Sequence, residues 1–183
     1  MTTLRVPAVQ PRPATSCCSR AMPWLAPLFL ALLVAAAMPG KVCAHSDEGV
    51  VKVVYHADFS DPRRFSAMLT SINNMVTTYR NELVDYDIKI VFVAHGIRFV
   101  TDDNLQGTPF AEDPELAERR ENLKGRLLSL NKVLGVDLEL CNITRSQINL
   151  PEKALYEGVS LVTSGVVRIV ELERDDYAYL KIE

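Results

Sequence analysis

The spacing of apolar residues along this chain switches repeatedly between strand-like runs and helix-like stripes. Gly49-Val-Val-Lys-Val-Val-Tyr-His56 is a β-branched run too continuously apolar for a strand with one wet face, so it predicts a central strand covered on both sides. Asp61-Pro62 then supplies a helix start, with Asp as the cap and Pro at the first helical position. Phe65, Met68, Leu69, Ile72, Met75, Val76 and Tyr79 follow at three- and four-residue spacings, an apolar stripe along one helical face. A second apolar run, Ile88 to Gly96, predicts another buried strand, again ending beside a histidine, His95.

The pattern repeats. Residues 101–114 are polar and read as a long loop, able to flank a site or to run free on the surface. Asp113-Pro114-Glu115 caps a second helix, whose stripe of Leu116, Leu123, Leu127, Leu130 and Leu134 stops at Gly135. Val136 to Leu140 is a third strand, delivering Cys141. A short helical or looped piece around Arg145 to Leu155 is broken by Pro151, and Gly158 to Gly165 forms a fourth strand. Gly165 opens a last helix carrying Val166, Val167, Ile169, Val170 and Leu172, and Tyr177 to Ile182 closes as a final strand. Strands alternating with helices predict an α/β fold with parallel pairing and right-handed crossovers. The carboxyl ends of the strands then share one edge, where open α/β sheets bind ligands.

The first 44 residues do not belong to that pattern. Arg5, Arg12 and Arg20 precede an almost wholly apolar stretch from Met22 to Met38, and Val42-Cys43-Ala44 offers small residues at a cleavage position. This predicts a cleaved signal peptide over 1–44, a single domain over 45–183, and an exported, periplasmic protein with no membrane attachment after cleavage. An uncleaved anchor is the alternative, at the short end of the spanning range. Cleavage removes Cys17, Cys18 and Cys43, leaving Cys141 as the sole thiol of the four in the chain. It also removes four basic residues and no acid, which takes the formal charge from −3 to −7. An acidic domain of this kind is a poor nucleic-acid binder, because phosphate contacts need a basic surface.

Candidate chemistry therefore centres on Cys141. With one thiol there is no internal disulfide, so the cysteine is buried and inert, functional, or paired with another chain. Asn142 and Thr144 after it suit a strand-to-helix turn whose N–H groups stabilise a thiolate. His56 and His95 reach the same edge, where an imidazolium would lower the thiol's pKa. A His/His/Cys set for zinc or copper is chemically allowed, but lacks paired short-range spacing. No cofactor is assigned.

Lys52-Val-Val-Tyr-His56, Val91-Phe-Val-Ala-His-Gly96, Gly135 to Cys141 with Asn142 and Thr144, Val162-Thr-Ser-Gly-Val166 and Tyr177-Ala-Tyr-Leu-Lys181 occur in an order and spacing that resembles the DsrE-like sulfur-relay family. The resemblance implies a three-layer α/β/α sandwich with a mainly parallel sheet of about five strands, assembling into dimers, trimers or hexamers. It also implies a sulfur carrier or sulfurtransferase that forms a persulfide on the residue matching Cys141, with a thiol or sulfur-donor protein as partner. His56, His95, Asn142 and Thr144 would line that site. The chain departs from the family in having Cys-Asn-Ile-Thr where Cys-x-Asn-Thr is commoner, and Asp176 where Gly usually precedes the terminal Tyr. A non-catalytic binding or assembly module with an inert cysteine is the reading from a different class. Phe99, Val100, Leu105 and Phe110 would lie in a subunit contact or fold back on their own domain.

Overall fold

The computed structural model describes residues 49–183, so the signal-peptide expectation for 1–44 lies outside the described residues. Five strands, β1 (Val51–Ala57), β2 (Tyr86–Phe92), β3 (Asp137–Cys141), β4 (Val159–Val162) and β5 (Ala178–Leu180), form one sheet in the order β4-β3-β2-β1-β5, with every pairing parallel. The helices are α1 (Pro62–Glu82), α2 (Pro114–Lys132), the short α3 (Asn142–Gln147) and α4 (Gly165–Arg174). Among the described residues no helix is long and apolar enough to cross a membrane.

The two faces of the sheet follow from the period-two alternation of each strand. Val53, Tyr55 and Ala57 of β1, Ile88, Ile90 and Phe92 of β2, and Leu138 and Leu140 of β3 join one large core with Phe65, Leu69, Ile72 and Val76 of α1 and Leu116, Leu123 and Leu127 of α2. The opposite face holds only a small cluster, Val54 and Val91 beneath Ile169 and Leu172 of α4. Polar residues fill the rest of it. Lys89 is buried but bonded to Asp87 at 2.9 Å and Asp137 at 2.7 Å, and Glu139 takes both ends of Arg168 at 2.8 and 2.9 Å. The architecture is the expected three-layer α/β sandwich, with one thick helical layer and one thin one.

Both cap-and-proline signals work as read. Asp61 Oδ1 accepts from Arg63 N at 2.7 Å and Arg64 N at 3.3 Å, and Asp113 Oδ1 accepts from Leu116 N at 2.9 Å. Strand ends differ more. Val93 N still bonds to Ala57 O at 2.9 Å as the last rung beside β1, and the second strand stops there because Ala94 takes a left-handed φ of 49°. His95 therefore sits in a 3₁₀ turn, Ala94–Phe99, and not on a strand. Gly96 permits that turn: a Cβ there would lie 2.0 Å from Ala57 O. The last strand is also shorter than expected, and the helical piece after β3 begins three residues earlier, directly at Asn142.

The 101–113 segment is pinned in place. Thr101 bridges Leu155, and Tyr156 Oη donates to Thr101 O at 2.9 Å. Phe99, Val100, Leu105 and Phe110 are all buried in the chain's own core. Folding back is thus the reading the structure takes for these four.

Candidate functional site

Chain path places Cys141 at a crevice. The connection leaving β3 packs Ile148, Leu150, Leu155 and Tyr156 into the core shared with α1 and α2, whereas the connection leaving β4 runs through α4 on the other face. Neighbouring strands whose connections depart to opposite faces open a gap between their carboxyl ends, the usual ligand position in open α/β sheets. Cys141 is the last residue of β3, paired with Val162 of β4 at that gap.

The residue is only 4% exposed, yet its surroundings are polar on one side. It is the N-cap of α3, and α4 begins alongside it: a Cβ on Gly165 would lie 3.1 Å from the Cys141 Cβ. The sulfur makes no capping hydrogen bond. Burial pushes the thiol's pKa up, but the nearby N–H groups of Gly165, Thr144 and Ile143 and the Thr144 side chain favour the charged form and outweigh burial, so the net shift is downward. Polar N–H groups at two helix starts near a sulfur favour negative charge on it.

The other residues expected at the site divide. Thr144 is buried, and its Oγ1 accepts from Ala94 N at 3.1 Å. Asn142 turns away from the sulfur, its Oδ1 accepting from Arg145 Nε at 2.8 Å and so bracing the first turn of α3. His56 lies on the same sheet face but two strands away, about 10 Å laterally at normal strand spacing. Its Nδ1 is 3.0 Å from Tyr179 Oη, and its Nε2 is 4.0 Å from Asp58, which Lys181 holds at 2.8 Å. Burial lowers the pKa of His56, Asp58 raises it and Lys181 lowers it; the net is downward, leaving a neutral ring near pH 7. His95 packs edge-on against Phe110 with ring centroids 5.3 Å apart, and its Nδ1 is buried without a partner. Neither ring is among the groups that act on the sulfur. Among the described residues no three His, Cys, Asp or Glu side chains gather to hold a metal ion, so the His/His/Cys ligand set is not assembled.

Two contributors were missed in the sequence. Gly165 is the helix start that the sequence predicts, and its N–H also favours charge on a sulfur 24 positions earlier in the chain. The signal was the run Thr163-Ser-Gly165, a capping Ser before a residue without a side chain. Ala94 had no signal at all, since its role depends on a backbone turn made by an L residue. Beside the site, Glu139, Val162, Ser164, Val167 and Arg168 line an open groove of about 380 Å³ between β4 and α4.

No family model matches the chain, and no curated protein matches it. Solved structures do. A protein of unknown function, MTH1491 from Methanobacterium thermoautotrophicum, is 24% identical with a TM-score of 0.51, over 72% of this chain and 98% of that one. The ychN protein of E. coli is 16% identical with a TM-score of 0.49, over 73% of this chain and all (100%) of that one. The likeness to MTH1491 concerns the fold alone, and the five parallel strands with flanking helices of this chain are consistent with it.

Proposed function

We propose that this protein is a DsrE-like carrier of sulfane sulfur, held as a persulfide on Cys141. The observation that supports the reading is the position of Cys141, the last residue of β3 and the cap of α3, at the crevice between β3 and β4 with the start of α4 alongside. A thiolate so placed attacks the outer sulfur of a donor such as thiosulfate. The donor's S–S bond breaks, sulfite leaves with the electron pair, and Cys141–S–S⁻ remains. An acceptor thiolate then attacks the outer sulfur and Cys141 departs as the thiolate. No oxidant is consumed. The proposal includes the export and periplasmic placement read from the leader, and a homo-oligomer that meets a thiol or sulfur-donor protein partner.

Mass spectrometry of the Cys141 peptide tests it. After incubation with thiosulfate or polysulfide the expected adduct is about 32 Da, one sulfur atom, released by a reducing thiol and absent in Cys141→Ser. A peptide that stays unmodified with both donors sinks the reading. The 4% exposure of Cys141 favours a second one, a structural thiol with no turnover. Alkylation of the native protein that is no faster than global unfolding would select it.

A further inference from the structure

We infer that the outward face of α4 is a contact between two copies of this chain, crossed antiparallel about a two-fold axis close to Val170. The inference deepens the homo-oligomer named above and rests on that part of the reading alone; no step of sulfur chemistry enters it.

Two apolar stripes run along α4. At about 100° per residue, Ile169 and Leu172 fall on the same side of the helix as Gly165, and these are the residues it buries. Val166, Val167 and Val170 fall on the other side and are 60%, 55% and 52% exposed. Valine loses side-chain freedom in a helix, so three of them at solvated positions work against α4 when it stands alone. Ile143, exposed to the same degree at the start of α3, extends the patch, because Gly165 packs against Cys141 two residues before it. Together the four side chains present on the order of 400 Å² of apolar surface, the size of patch that marks an interaction site. A contact of ordinary size buries about 800 Å² on each partner, slightly more than half of it apolar, so this patch supplies most of one side's apolar share.

Charge selects what covers it. The first turn of α4 holds no acid and presents the positive end of the helix. The other end carries Glu171, Glu173, Asp175 and Asp176 against Arg174, all exposed. An acidic rim of this kind repels an anionic lipid surface. A second copy turned end for end sets each acidic end beside the other copy's positive helix start, whereas a parallel arrangement would set acid against acid. A face that is apolar at its centre and opposite in sign at its two ends is complementary to itself under a two-fold axis. Val170 is the exposed valine nearest the middle of Gly165–Arg174, so it meets its own counterpart there.

The test follows the protein expressed from its full-length gene by sedimentation velocity over a concentration series, with a reducing thiol present to remove disulfide-linked species. The expected wild-type species is a dimer or an assembly of dimers, and α4 amides gain protection from deuterium exchange as concentration rises while those of α1 and α2 do not. Val170→Asp and Val170→Lys each place two like charges at the axis and should weaken association at least about a hundredfold. Mixing the two variants should return it to within about tenfold of wild type, since Asp then faces Lys. Leu83→Asp, an exposed apolar position at the C-cap of α1, should leave association unchanged. If V170D does not fold, Val170→Gln is read by the same loss of association. A V170D protein that associates like wild type overturns the inference and leaves the homo-oligomer standing on another face. Variants that dissociate but do not recombine on mixing overturn the two-fold placement of Val170. A monomeric wild-type protein overturns the inference and the homo-oligomer together, and its co-sedimentation with vesicles of phosphatidylcholine and phosphatidylglycerol would assign the face to lipid.

Discussion

A single methyl group added at Gly165 tests how closely α4 is fitted over the sulfur. A Cβ there would lie 2.6 Å from Val93 Cγ2, 3.1 Å from the Cys141 Cβ and 3.4 Å from Val91 Cγ1. Carbon atoms in good contact stand about 3.5–4.0 Å apart, so the nearest contact is short by about 1 Å. Val91 and Val93 are β-branched and stiff about their first side-chain torsion, and Val91 is fully buried, so relief comes from lifting the start of α4. Overpacking of this size costs about 1–3 kcal/mol, of which alanine's better helix propensity returns less than about 1 kcal/mol. The expected loss in Gly165→Ala is about 1–2 kcal/mol in urea unfolding followed by circular dichroism. The same lift withdraws the Gly165 N–H from the sulfur, so the alkylation midpoint of Cys141 rises as well. A G165A protein as stable as wild type refutes the packing argument. One that loses stability with the midpoint unmoved refutes the claim that this N–H acts on the sulfur.

Three further outcomes are expected. Arg168→Ala leaves the buried Glu139 carboxylate without its partner and costs about 2–3 kcal/mol at neutral pH, the lower range reflecting the partial exposure of Arg168. Adding Glu139→Leu to it should recover most of that loss in denaturant titrations; a double variant no better than R168A counts against the reasoning. Asp176→Gly, at a φ of 66°, should raise stability by up to about 1 kcal/mol, since glycine holds that backbone without a steric penalty. No gain in thermal midpoint would show that Asp176 is not strained. His56 has a folded pKa below its ordinary 6.5, because burial disfavours the charged ring more than Asp58 favours it. Its contribution is therefore fully present above pH 6.5 and is lost as pH falls toward the lowered value, where the unfolded chain binds the proton first. Urea midpoints should drop between pH 7.5 and about 5.5 in wild type and drop less in His56→Gln; parallel curves would exclude His56 as the source.

The architecture was legible because its signals are local. Apolar runs of four to eight residues, two Asp-Pro caps and the stripe from Phe65 to Tyr79 each state their element without reference to the rest of the chain. Cys141 was legible too, as a thiol at a strand end before cap-forming residues. What surrounds it was not. The groups near the sulfur include the N–H of Gly165, which opens α4 far along the chain, and Thr144, whose hydroxyl accepts from Ala94 N in the turn after β2. Histidines at strand ends looked like partners for the thiol, but strand order puts β2 between β1 and β3, and Ala94 turns His95 off its strand. Asp176 shows another limit: nothing in its local sequence announces the left-handed φ of 66° that it takes.

The thinness of the second helical layer has a dynamic consequence. Two apolar side chains, Ile169 and Leu172, are buried from α4, whereas α1 and α2 each bury several. Elements with few buried contacts detach first in native-state fluctuations, so α4 amides should exchange with deuterium well before those of the opposite helices. Detachment uncovers Cys141 while the main core stays intact. Thiol-reagent access to Cys141 should then follow the local exchange of this ten-residue helix and not global unfolding.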